Sequence, residues 1–279
     1  MTAQPAAAAP ATRAPRAPGL RHELSAVAIT AQRDVIKLLR DRPRLAVNLA
    51  FPVLLIGGLG AILQPTVGRV TGLSAVTLAF TGVLAASLFQ SAAAGMISIV
   101  EDRENDFSRE LFVAPVLRVT LVAGKVAGES LVALAQGVLI TGFAAAFGVR
   151  MSAGQLAGLV APALACCLLG AAFGLATVAA LPNQRSAMQI FQFLIIPQYV
   201  LGGVLVPLRG TAPYLQVLAR LMPMRYVVEL TRAAFYAGAP GYRQVVTGRP
   251  LTDAVIAAGL FAVLLAAGSA VFGYRERAR

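Results

Sequence analysis

Charged side chains are scarce in this chain: only 13% of its 279 residues are Asp, Glu, Lys or Arg, against 58% hydrophobic, and the mean hydropathy is +0.74. That balance excludes an ordinary soluble domain and points to one integral membrane domain. There is a single histidine, His22, and the two cysteines, Cys166 and Cys167, are neighbours inside an apolar run. Adjacent cysteines cannot staple distant segments and read as small packing residues. With no Cys/His/Asp cluster at ligand spacing, no metal site is expected. Acidic groups are fewer still, 12 against 24 Lys and Arg, for a net charge of +12. In a soluble protein that excess would suggest nucleic acid. Here the basic residues collect in loops and tails, where the anionic face of a bilayer accounts for them, so no nucleic-acid partner is expected.

Long apolar runs are what the chain has in quantity. A helix rises about 1.5 Å per residue and the hydrocarbon core is about 30 Å thick, so about 20 apolar residues suffice to cross it. Six runs qualify, at residues 45–63, 73–100, 119–149, 153–181, 187–206 and 251–273, and the expected fold is an all-α polytopic membrane protein with six transmembrane helices. Gln64-Pro65, Arg150, Pro182-Asn183 and Pro207 separate the runs as turn chemistry requires, and Pro52, Pro162 and Pro197 are candidate kinks. Residues 1–20, rich in Ala, Pro and Arg, offer no apolar face and are expected to be a disordered tail. They are not expected to act as a cleavable signal, because the first apolar run begins only near Leu45. Residues 21–42 read as an amphipathic helix ended by Pro43, with Leu24, Val27, Val35 and Leu38 on one face and Arg33, Lys37 and Arg40 toward the other. Such a helix suits the membrane surface, as an anchor or as a partner-binding element. With the amino terminus inside, 16 Lys and Arg fall on the inner side and 8 on the outer. The positive-inside rule then puts both termini in the cytoplasm.

Between the second and third runs lies the densest charge cluster, Glu101 to Glu110, with five carboxylates and two arginines in ten residues. It cannot lie in lipid. A short cytoplasmic helix is expected there, with Glu101, Glu104 and Arg109 toward water, an apolar edge at Phe107, Leu111 and Phe112, and Pro115 redirecting the chain; Arg103 and Glu110 join these as candidate coupling residues. A loop kept wet by its charges is the plain reading. Mixed signs interleaved with aromatic residues fit a docking surface better.

Residues 101–129, EDRENDFSRELFVAPVLRVTLVAGKVAGE, resemble the signature of ABC-2 type transporter permeases, in which a Glu-rich cytoplasmic segment leads through a Pro-containing run and a Gly-Lys into the third span. Residues 212–238, APYLQVLARLMPMRYVVELTRAAFYAG, are similar to the element before that family's last span, and residues 33–55 to its amphipathic start. Met222-Pro223 and Ala114-Pro115 stand where the family commonly has Asn-Pro and Ser-Pro; both keep the proline. Among subfamilies the likeness is to daunorubicin-resistance-type drug exporters. The resemblance implies six spans, a coupling helix after span two and an outer helical segment at 211–236. It also implies the partners: a second copy of the chain and a separate ATP-binding subunit that carries ATP and Mg. This chain is expected to bind no cofactor and to have no catalytic residues. No G-x-x-x-x-G-K-[ST] occurs, since Gly124-Lys125-Val126 lacks the upstream glycine and the hydroxyl.

Polar residues within the runs are few. Lys125 and Glu129, four apart, are expected to pair on one helix face. Asn48, Gln90, Gln189, Gln192 and Gln198 are candidates for a substrate path, amides solvating polar cargo without a buried charge; interhelical hydrogen bonding is the alternative. Gly170, Gly174, Gly202 and Gly203 suit close helix approach. Arg225, Glu229 and Arg232, at i, i+4 and i+7, form a polar stripe on a helix expected to lie in the outer leaflet, held by Tyr214, Tyr226 and Tyr236 at headgroup depth, as a lid, a dimer contact or an anchor. The function expected is export across the plasma membrane of a hydrophobic or amphipathic small molecule such as a drug, antibiotic or lipid-like compound. Polysaccharide or glycolipid export is the alternative. A proton-driven transporter would want several ionisable groups in series, and a lipid-modifying enzyme a nucleophile with acid or base; neither is present in the spans.

Overall fold

The computed structural model describes residues 42–71, 73–104, 118–208, 210–239 and 241–277, with isolated helical positions at Gln32 and Ile36. Among the described residues every regular element is helical: α1 (Arg42–Leu54), a π-helical turn (Leu55–Leu59), α2 (Gly60–Thr71), α3 (Ala75–Gly95), α4 (Ser98–Glu104), α5 (Arg118–Ala146), α6 (Ala153–Val178), α7 (Gln184–Leu201), α8 (Pro213–Arg220), α9 (Pro223–Phe235), α10 (Tyr242–Val245) and α11 (Pro250–Arg277). A helix satisfies its own backbone, the condition for lying in lipid. Among the described residues five stretches are long and apolar enough to cross a membrane: Asn48–Pro65, Ala75–Glu101, Val122–Ala146, Ala153–Val178 and Pro250–Tyr274. The run expected as a span at 187–206 does form a helix, α7, but Gln184, Arg185, Gln189, Gln192 and Gln198 keep it too polar to count with the other five.

Proline and caps explain where the chain turns. Pro43, expected to end a helix, lies in helical backbone, as does Pro65. The first hydrophobic helix therefore runs past Gln64-Pro65 to Thr71, loosened by the π turn that follows Pro52, whose missing N–H removes one bond of the ladder. Gln64 reaches across the real turn and its Oε1 accepts from the Ala75 N–H at 2.8 Å. Ser74 caps α3 through the Thr77 amide, Ser152 and Gln155 make a reciprocal capping box on α6, and Asn183 caps α7.

At the centre α3 is surrounded by α5, α6, α9 and the π turn, and Phe80, Val83, Leu88 and Phe89 are fully or almost fully buried. Two glycines bring α6 onto it: a side chain at Gly170 would collide with the Phe89 backbone, and one at Gly174 with that of Ala93. Close backbone approach at small residues is how helices associate where no hydrophobic driving force operates between them. By contrast α11, equally apolar, packs mainly on α6 and α9 and leaves Leu251, Val255 and Val263 exposed.

Candidate functional site

Of the segment expected to dock a partner, only its beginning is described. Glu101 is half-buried at the end of the apolar run, and Arg103 and Glu104 lie in the helical backbone of α4. Phe107, Arg109, Glu110, Leu111 and Pro115 lie outside the described residues, as do Arg33, Lys37 and Arg40 of the amphipathic segment. The approach to the segment is well defined. α3 breaks at Met96–Ile97, both buried, where the Met96 and Ile97 amides donate to Ala93 and Ala94 and the Ser98 hydroxyl donates to the Gly95 carbonyl at 2.6 Å. Packed on that break is the pair expected from the sequence, Lys125 Nζ to Glu129 Oε1 at 2.9 Å, the two side chains only 7% and 9% exposed. Gly95 has no side chain because the Glu129 carboxylate occupies the place one would fill.

The candidate path residues divide. Gln189 and Gln192 are three apart and exposed on α7, and Asn48 is exposed on α1. Gln90 of α3 is half-buried and its Oε1 accepts from the Tyr199 hydroxyl of α7 at 2.6 Å, while the Tyr199 ring meets Phe51 of α1 edge-on with centroids 6.1 Å apart. So α1, α3 and α7 converge on one tyrosine. Gln198 points elsewhere: it is buried, donates to the Leu194 carbonyl and accepts from the Met224 N–H at 3.2 Å. Met222, the N-cap of α9, supplies no side-chain acceptor, so an amide from α7 caps α9 in its place. Both hydrogen bonds go to backbone, one within α7 and one to α9.

The polar stripe on α9 exists but faces inward. Glu229 is buried, Arg232 is 0% exposed and Arg225 is half-buried. The stripe expected on this helix is thus turned into the bundle. The physical cause is that Val227 and Val228 are buried too, so α9 is enclosed on nearly every side by α3, α6 and α11. Tyr226 and Tyr236 are likewise buried, Tyr226 donating to the Arg220 carbonyl at 2.6 Å, and of the three tyrosines expected at headgroup depth only Tyr214 is exposed. Glu229 Oε2 accepts from the Thr247 amide at 2.9 Å and lies 3.5 Å from that of Gly248. Arg232 Nη2 donates to the Val204 carbonyl at 3.0 Å, just past α7, while its Nε and Nη1 have no hydrogen-bond partner among the described residues. Burial lowers Arg232 to about 10, against the raising influence of Glu229 and Tyr236, and leaves it charged at neutral pH.

Tyr199, Asp253 and the Gln155 side chain, whose Nε2 donates to the Phe235 carbonyl at 3.0 Å, were not foreseen as tertiary contacts. Only Asp253, a lone acid opening an apolar run, carried a signal in the sequence. Among the described residues no three His, Cys, Asp or Glu side chains gather to hold a metal ion.

A bundle of helices, several of them among the described residues long and apolar enough to cross a bilayer, defines a multi-pass membrane protein. Residues 25–236, most of the chain, match the ABC-2 type transporter family, and the chain belongs to that family. It is the permease component of an ABC transporter, a transport subunit and not an enzyme. No curated protein matches the sequence.

Proposed function

We propose that this chain is the membrane subunit of an ATP-driven exporter, acting as a homodimer with a separate cytoplasmic ATP-binding subunit, and that it moves a hydrophobic or amphipathic small molecule out across the plasma membrane. The observation that carries this reading is the family match, joined to the charged segment that follows the break in α3. In this reading both termini are cytoplasmic and α7 is also a membrane crossing, the fifth of six in chain order. Its exposed Phe193, Ile196 and Val200 suit lipid or a second copy, and its Gln189 and Gln192 suit the polar side of a passage. Residues 101–115 receive the closure of the ATP-binding pair, and the break at Gly95–Ile97 lets α4 turn while α3 stays packed. Closure can drive such a change only to the extent that ATP binding favours one arrangement of the subunits over the other.

The test is the double charge reversal E104K/R109E. ATP-driven uptake into inverted vesicles, which reports export, and co-purification with the ATP-binding subunit should both be lost, while membrane insertion and elution as a monodisperse species are kept. Unchanged co-purification would remove the docking role.

A further inference from the structure

Glu229 and Arg232 are three apart on α9, hence neighbours on its surface, oppositely charged and buried together. Such a pair ordinarily closes. Here it is split, because the carboxylate is taken by the amides of Thr247 and Gly248 ahead of α11 and the guanidinium by the carbonyl of Val204 behind α7. α9 therefore holds the end of one long helix with one charge and the start of another with the other. The split leaves two loose ends. Nε and Nη1 of Arg232 have no partner among the described residues, and neither has Oδ2 of Asp253, only 8% exposed, whose carboxylate occupies the space a side chain at Gly248 would need. Buried groups left unsatisfied in this way ask for an explanation.

We propose that Glu229 and Arg232 are a switchable pair that positions the ends of α7 and α11. In a second arrangement the two side chains bond to each other, Val204 is released, and Asp253 Oδ2 takes the Gly248 amide that Glu229 gives up. Both sets of orphaned atoms then find partners. The backbone needed for the change is present, since Gly203 sits at φ +69°, and Gly82 of α3 leaves the space into which the Val204 carbonyl fits. The link of this switch to transport rests on the exporter reading; the switch itself does not.

Spin labels at Val206 and Arg249, exposed positions at the two ends, report the distance in the full-length chain in lipid nanodiscs, in a C166A/C167A background. G82A keeps both charges but puts a methyl where the Val204 carbonyl sits, 3.1 Å from Arg232 Nη2, and should shift the distance distribution to a second population. Adding E229Q should abolish that population, because the pair can no longer close. If G82A costs folding, T247P, which removes the amide that holds Glu229, should give the same second population and R232Q should abolish it. A distribution unmoved by G82A or T247P overturns the proposal, as does a second population that survives loss of the partner charge. With the ATP-binding subunit present and nucleotide trapped by vanadate, the wild type should occupy the same second population. A shift seen with G82A but never with nucleotide would leave the switch standing and count against the exporter reading.

Discussion

Two buried charge pairs flank the same helix and are built in opposite ways. Lys125 and Glu129 close on each other at 2.9 Å over Gly95. Glu229 and Arg232 hold backbone on either side, with Arg232 beside Gly82, about 20 Å away along α3 for thirteen residues of helix. In each case a glycine of α3 makes room, in one for a carboxylate and in the other for a carbonyl that receives a guanidinium. The lesson lies in what the charges are spent on. A closed pair fixes two turns of one helix and supports the break in α3 that leads into α4; a split pair ties together elements far apart in sequence.

The largest expected effect comes from breaking the closed pair. E129Q leaves the buried ammonium of Lys125 without that carboxylate and should cost about 3–5 kcal/mol, seen as a lower melting temperature by circular dichroism in detergent. The double variant K125M/E129L, which removes both charges, should recover most of the loss. Equal melting of the single and double variants would show that the charges do not act as a pair. G95A should come next, at about 1–3 kcal/mol and below E129Q, because the atoms its methyl meets belong to the flexible end of Glu129. Melting at or below that of E129Q would place the strain in the α3 backbone instead. The smallest effect belongs to the split end. Q198A removes the borrowed cap of α9 and should cost about 1 kcal/mol, read as roughly fivefold faster hydrogen exchange at the Met224 amide, with the global melt little changed.

Much of the scaffold was legible, because hydropathy over 20 residues is a strong signal. The expected spans at 73–100, 153–181 and 251–273 lie close to the helices found at Ala75–Glu101, Ala153–Val178 and Pro250–Tyr274. The glycines of α6 and the Lys125–Glu129 pair were also visible, one through spacing of small residues and the other through the i, i+4 rule. The turn assigned to Gln64-Pro65 failed because a proline within a long apolar helix can be absorbed by a local change of winding, which no composition window reports. The direction of the α9 stripe was not legible for a deeper reason. Periodicity finds a polar face but not what lies opposite, and here the opposite wall is assembled from α3, α6 and α11, remote in sequence. Gln198 was legible as polar and not as a cap, since its acceptor role depends on a helix end 26 residues away.

The contact of α6 with α3 at Gly170 and Gly174 sets a limit on how the bundle can rearrange. Where two helices meet through side chains, rotamer changes let them slide; where their main chains touch, there is no cushion to shear, and any slip must first pry the pair apart. These two helices are therefore expected to move as one unit.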